Sequence, residues 1–349
     1  MKKVLLVTET LEPPYDEGIK KTVYNLYKEL KSNYQLKVIS RYSFKSEDIN
    51  IVNANPLFLS KKVKEIIKGF EPDVLIYFPF ASATFAGYLR LKVLANYCRK
   101  AKPLFISLQP KPLKNWQKEF IKLIKPQYAL TPSPQLKAFW DKIQVKSELL
   151  PLLTDLETFK PINRKKRKVE LRKKYNLPED AFIVSHMGHL NEGRNLKSLV
   201  PLQKTGYQIV VVGSSSTPKD SIGPASIKQE LLDEGIIVLD SYIEQIEEIY
   251  QSSDLYIFPV VAGTGSIGMP LSIMEARACG IPVVTTDFGS LKHYLKDDFG
   301  GIMYEKPENF LEAVNEYAST QNKEYSKTNV AKINQEFYDI IHAAIEDVN

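Results

Sequence analysis

Short apolar runs recur along the chain, separated by stretches in which apolar residues return every three or four positions. Val4–Thr8, Leu36–Ser40, Val74–Phe78, Leu104–Leu108 and Tyr128–Thr131 read as strands. Lys21–Lys31 and Lys61–Lys68 between them carry helical spacing. Strand and helix alternate, which predicts a parallel sheet wrapped by helices. The rhythm breaks at Leu149–Pro161, and the basic run Arg164–Lys168 follows. It resumes with strands expected at Phe182–Met187, Gln208–Val212, Ile236–Leu239, Leu255–Phe258 and Pro282–Thr285, and Ser326–Val348 reads as a terminal helix.

Length fits this division, since 349 residues exceed one ordinary core and suit two domains of roughly 150 to 200 residues each. The expected segments are 1–160, 161–325 and a closing helix over 326–349. Two doubly wound sheets facing each other across a cleft would place ligands at the carboxyl ends of their strands. Cys98 and Cys279 are far apart with no metal-type spacing, so they read as small buried hydrophobes. The opening Met1–Glu9 has an apolar run much shorter than a signal core, and no later segment approaches a membrane span. A cytoplasmic enzyme is therefore expected. The basic run lacks interleaved aromatic residues for stacking on bases, so it reads as a solvated linker and nucleic acid is not an expected partner.

The densest chemical signal is Gly265–Val284, a glycine loop feeding a helix and then a buried strand. Pro270 suits a first helical position and Gly280 the left-handed residue beyond the last turn. Free backbone N–H groups and the helix dipole converge on the start of such a helix, which favours an anion. Glu275 lies about one turn inside. There a carboxylate suits a sugar diol better than a phosphate, and a nucleotide is the natural guest.

This segment resembles the signature of the retaining family-4 glycosyltransferases, the glycogen-synthase-like group with the two-domain GT-B fold. Glu275 matches the second glutamate of that family's paired motif, which holds the donor ribose, and Ile267 stands where the first should be. By the same resemblance Gly268, Met269 and Leu271 are donor-binding candidates. Met187–Leu196 is similar to the family's Gly-Arg-Leu-x-x-x-Lys-Gly segment, which implies that His189 and Arg194 serve catalysis at the donor diphosphate. Arg for Lys keeps the charge and adds a planar fork, whereas His189 is mostly neutral unless a phosphate raises its pKa, and could instead cap or pack. Glu12–Lys21 resembles the loop after the first strand, with Gly18 allowing close approach of a diphosphate. Ser241–Pro259 is similar to the base-reading segment, so Ile243 is a donor candidate through its main chain. Asp155, Phe159 and Pro161 match the family's domain junction. His293 replaces a loop glutamate, with its role open.

The resemblance implies a hexosyltransferase that uses a nucleotide-diphosphate sugar, retains configuration and needs no metal or other cofactor. The sequence holds no Asp-x-Asp triplet or histidine cluster of metal spacing. The leaving diphosphate would take the acceptor proton, so the protein need only stabilise the leaving phosphates. The acceptor would be a glycan or lipid-linked hydroxyl. In Lys111–Lys125, lysines 111, 114, 118, 122 and 125 share one helical face while Leu113, Trp116, Phe120, Leu123 and Ile124 form an apolar stripe. This reads either as a surface helix packed on its sheet or as a peripheral contact with anionic lipid at the inner membrane face. The competing functional class is a non-catalytic nucleotide-sugar-binding subunit of a partner transferase. Ile267 and His189 favour it; Glu275, Arg194 and the intact Gly268–Gly280 helix oppose it. In an active enzyme Ile267 would either suit a deoxy sugar or leave the contact to Ser266 or Thr264.

Overall fold

The computed structural model describes residues 1–15, 17–98, 100–162, 164–213, 223–261, 265–295, 301–320 and 329–347. Thr264 and the first residues of the expected terminal helix lie outside them. Two compact units are present. The first comprises Met1–Leu152, Ile267–Met269 and Gln335–Asn349, and the second Leu153–Ser266 and Pro270–Asn334.

Unit 1 alternates β1 (Lys3–Leu11), α1 (Gly18–Asn33), β2 (Gln35–Ser43), β3 (Ile49–Ile51), α2 (Lys61–Phe70), β4 (Val74–Phe78), α3 (Phe85–Tyr97), β5 (Lys102–Ile106), α4 (Asn115–Ile124), β6 (Tyr128–Thr131), α5 (Pro134–Lys142) and β7 (Lys146–Leu149). The seven strands are all parallel, in the order β3-β2-β1-β4-β5-β6-β7. The core packs Phe58, Tyr77, Tyr88, Phe105 and Trp140 around β4 and β5. Where the strand order reverses, between β1 and β4, Glu9 accepts from Tyr77 Oη (2.7 Å), the Phe80 N–H (2.7 Å) and Arg90 Nη1 (2.7 Å). That switch point is filled by its own ion pair.

Unit 2 runs through α6 (Arg164–Lys174), β8 (Ile183–Gly188), α7 (Val200–Lys204), β9 (Gln208–Gly213), α8 (Gly223–Asp233), β10 (Ile237–Leu239), α9 (Glu247–Ser252), β11 (Leu255–Phe258), α10 (Leu271–Ala278), β12 (Val283–Thr285), α11 (Leu291–Leu295), β13 (Ile302–Tyr304) and α12 (Phe310–Ser319). Its six strands are also all parallel, ordered β10-β9-β8-β11-β12-β13. The reversal here falls between β8 and β11. The closing helix α13 (Val330–Asp347) contributes its second half to unit 1, where Lys2 Nζ donates to the Ile345 carbonyl and His342 bridges Tyr34 and Glu29.

Three expectations change. The basic run is the start of helix α6 rather than a linker, because its charges find acids. Arg167 pairs with Glu248 (3.0 Å) and Lys168 with Asp254. Arg172, buried farther along, binds Asp254 (2.6 Å) and the Ser252 carbonyl (3.1 Å). Pro270 is the cap preceding α10, one position earlier than expected, while Gly280 does adopt the left-handed conformation (φ 71°). In α4 the residue that packs fully on the core is Ile121, which the apolar stripe omitted; Trp116 (58%) and Leu123 (79%) are largely exposed. Trp116 and Phe120 each set an edge against Phe85.

Candidate functional site

The reversal point of unit 2 is open along the ladder. β8 and β11 pair at Leu255↔Val184 and Tyr256↔Ser185 and no further. One residue on, the His186 side chain takes the place of a backbone rung, its Nδ1 lying 2.9 Å from the Ile257 carbonyl oxygen. A carbonyl only accepts, so Nδ1 carries the proton and Nε2 is left with a lone pair. The ring is fully buried, stacked on Tyr256 (6.1 Å between centroids, 13°) and tilted on Phe258 (6.0 Å). Burial, reinforced by the neighbouring Arg194 cation, pulls its pKa down to about 3, so the imidazole is neutral at physiological pH.

Arg194 ends the 3₁₀ turn Glu192–Arg194, and its guanidinium lies over the Phe258 ring (5.8 Å). A methyl group on Gly188 would stand 3.1 Å from Arg194 Cζ, 3.2 Å from Nη1 and 3.1 Å from His186 Nε2. Guanidinium and imidazole thus converge on the bare face of that glycine. Burial depresses the Arg194 pKa, partly offset by Tyr256. Neither Arg194 Nε nor His186 Nε2 has a hydrogen-bond partner among the described residues, and no carboxylate there pairs with Arg194. A cation partly withdrawn from water without a counter-charge carries a cost that an anion at this point would relieve. Open α/β sheets bind ligands at such a reversal.

His186 is a candidate that sequence reasoning overlooked. Its signal was a histidine inside the otherwise covered run Phe182–Met187. His189, one residue past β8, presents its carbonyl to the Asn191 N–H (3.1 Å). Glu275 is 4% exposed on α10, where Tyr250 Oη donates to Oε2 (2.8 Å). Burial and that carboxylate push the tyrosine pKa well above its usual value. Ile243 lines a hollow with Tyr175, Leu239, Tyr242 and Lys174, a set that shares no residue with the His186–Arg194 pair. His293 is exposed and rests edge-on against Tyr294.

Several candidates meet inside unit 1. The Ile267 Cδ1 lies 2.9 Å from where a Gly18 side chain would begin, so Gly18 gives room to Ile267. Gly268 donates to the Leu108 carbonyl (3.0 Å), and a Cβ there would stand 2.7–2.8 Å from Pro132 and Ser133 backbone atoms. Met269 is buried and its Sδ accepts from the Leu152 N–H (3.3 Å). Leu271 is the first residue of α10. Among the described residues no three His, Cys, Asp or Glu side chains gather as a metal site, and no helix is long and apolar enough to cross a membrane.

A family model described as "Glycosyl transferases group 1" matches residues 190–320. Over 149 residues the chain is 28% identical to the putative teichuronic acid biosynthesis glycosyltransferase TuaC of Bacillus subtilis, a match that takes in 42% of this chain and only 34% of that protein. Among solved structures, Anabaena HepE in complex with UDP-glucose superposes with a TM-score of 0.77 at 13% identity, covering 99% of both chains. The glycosyltransferase from Rickettsia africae gives 0.76 at 16% identity, over 99% of this chain and 98% of that one. With two all-parallel α/β sheets, these likenesses show the GT-B fold that the sequence led us to expect.

Proposed function

We propose that this chain is a retaining family-4 glycosyltransferase that moves a hexose from a nucleotide-diphosphate sugar to a hydroxyl of a glycan or lipid-linked acceptor. The observation that carries the reading is Arg194, a partly buried side chain at the strand reversal of unit 2 whose Nε is sealed without a partner and whose guanidinium pairs with no carboxylate among the described residues. The distal phosphate of the donor supplies its counter-charge. As the glycosidic C–O bond breaks, charge grows on the leaving diphosphate, and a fork already in place stabilises it without reorganisation. The same diphosphate takes the acceptor proton, so no strong base and no metal or other cofactor is required of the protein. Glu275, buried on α10 where Tyr250 donates to one of its oxygens, is the carboxylate assigned to the ribose. HepE, whose structure contains UDP-glucose, supports a nucleotide-sugar donor. The exposed Trp116, Phe120 and Leu123 on lysine-rich α4 support peripheral contact of Lys111–Lys125 with anionic lipid at the inner face of the membrane.

A second reading, a nucleotide-sugar-binding subunit without turnover, draws on Ile267. Its side chain packs on Gly18 where relatives of this kind carry a carboxylate. Calorimetry with nucleoside mono- and diphosphates, followed by donor hydrolysis on the best base, separates these. Diphosphates should bind the more tightly, and Arg194→Ala should erase most of the difference. Equal binding of mono- and diphosphate by the wild type would refute the donor site; tight diphosphate binding without turnover of any donor would favour the second reading.

A further inference from the structure

We propose that the acceptor is an acidic molecule, carrying a carboxylate or a phosphate that Lys111, at the mouth of the unit 1 sheet, receives as its counter-charge. The inference rests on the transferase reading above and names the class of its second substrate. Lys111 follows β5, at the carboxyl end of a parallel strand, where open α/β sheets take their ligands. The backbone leading to it is held in place. The Gln109 carbonyl accepts from the Ala83 N–H (3.3 Å), Pro110 bridges to Ala83, and the Leu108 carbonyl accepts from the Gly268 N–H (3.0 Å). The Lys111 side chain is half-buried, and its ammonium, which only donates, meets Gln109 Oε1 at 2.8 Å. Gln109 is buried and neutral. Burial lowers the Lys111 pKa, with a partial offset from Glu17, and among the described residues no carboxylate forms an ion pair with Lys111. The other lysines of this stretch are placed differently. Lys114 and Lys118 are exposed, Lys122 pairs with Glu119 (2.6 Å), and Lys125 donates to the Ile143 carbonyl (2.7 Å). A cation oriented by a neutral amide keeps its charge and its remaining N–H groups for a ligand, and an anion there offsets the cost of burying it. The donor's charge is answered by Arg194 in unit 2, so the anion at Lys111 is the acceptor's.

Ligand-observed NMR titrations with methyl glucuronide, glucose 6-phosphate and the neutral methyl glucoside test this. UDP, or the diphosphate of whichever base binds best, is kept at saturation so that the acidic sugars cannot enter the donor site. One or both acidic sugars should bind about tenfold or more tighter than methyl glucoside, the scale of a charged hydrogen bond, and the pair of affinities tells carboxylate from phosphate. Lys111→Met keeps the length of the stem without the charge, and the preference should fall to within about twofold of none. Lys111→Arg keeps the charge and should hold the preference to within about threefold of wild type. Lys114→Met removes the same charge from an exposed position and should leave the preference intact. Diphosphate affinity should hold in all three variants. A wild type that binds nucleotide but shows no preference for acidic sugars overturns the proposal, and so does a preference that survives in Lys111→Met or falls equally in Lys114→Met. Loss of diphosphate affinity in Lys111→Met would also overturn it, by giving the cation to the donor. A wild type that binds no nucleotide refutes the transferase reading itself, and the acceptor role with it, whichever sugars bind.

Discussion

Gly268→Ala tests whether the glycine of the signature loop serves packing or ligand. The added Cβ would stand 2.7 Å from Ser133 Cα and 2.8 Å from both Ser133 N and the Pro132 carbonyl oxygen. Ordinary contact begins near 3.4 Å, so the methyl must displace backbone by most of an ångström, and backbone gives way less easily than a side-chain tip. Ser133 is the N-cap of α5, its Oγ accepting from the Leu136 N–H (3.3 Å), so the displacement also loosens a helix start. Overpacking of this kind costs ~1–3 kcal/mol and a weakened cap up to about 1 more. Stiffening of the unfolded chain returns about 0.4–1 kcal/mol. The net is roughly 2 kcal/mol, which for a unit of this size lowers its melting temperature by about 4–8 °C. Both tryptophans of the chain, Trp116 and Trp140, belong to unit 1, and Trp140 is fully buried, so intrinsic fluorescence reads that unit selectively. A melt within 1–2 °C of wild type, by ordinary assay precision, paired with lost nucleotide affinity, would refute the packing argument and return Gly268 to the donor site.

Gly69→Ala is the matched control: it lies in α2 with nothing within 4 Å of its added methyl, and should stabilise by up to about 1 kcal/mol in the same fluorescence melt. Glu275→Gln should weaken nucleotide binding by roughly 1.5–3 kcal/mol by calorimetry with little loss of stability, whereas Glu275→Ala also strands the buried Tyr250 hydroxyl at a further cost of about 1–3 kcal/mol in urea melts. His186 has a depressed pKa in the folded state, so the unfolded chain binds more protons between about pH 6.5 and 3; the stability of unit 2 should be complete above that window and fall as pH drops through it, by at most ~1.4 kcal/mol per pH unit. Urea midpoints taken at pH 7 and pH 5 should converge in His186→Asn, and an equal pH slope in the variant would refute this. Ile267→Glu, assayed across a panel of nucleotide sugars with an acceptor mixture, should alter donor preference in an active enzyme; a wild type inert to every donor beside a variant that turns one over would identify a retired site.

The alternation of apolar runs located ten of the thirteen strands because buried parallel strands carry their signal in composition. β3, β7 and β13 escaped notice. They are edge strands of three or four residues, none fully covered, and Lys146–Leu149 reads as surface. α6 was misread because the helical character of Arg164–Lys174 depends on Asp254 and Glu248, acids more than 70 residues away that no local window contains. Arg194 was a candidate through the likeness of Met187–Leu196 to a family segment. The approach of His186 to the same glycine was not legible, since it depends on where the β8–β11 ladder stops, a property of two strands some 70 residues apart. The apolar face of α4 was assigned from spacing alone, and spacing does not say which edge of a half-wet helix the neighbouring α3 will cover.

Unit 1 is drawn from three separated stretches of chain, with Ile267–Met269 and the second half of α13 completing what Met1–Leu152 begins. On the ribosome those first residues emerge long before their remaining parts exist. At ~5–20 residues per second, on the order of ten seconds or more separate β7 from α13. During that interval the bed for Gly268 at Leu108 and Pro132, and the Tyr34 and Glu29 side chains that later meet His342, stand open on the nascent unit. Unit 2 keeps closer to its own stretch of sequence, since only the tripeptide Ile267–Met269 interrupts it. Unit 2 can therefore reach its native packing while the half synthesised first still awaits its closing helix.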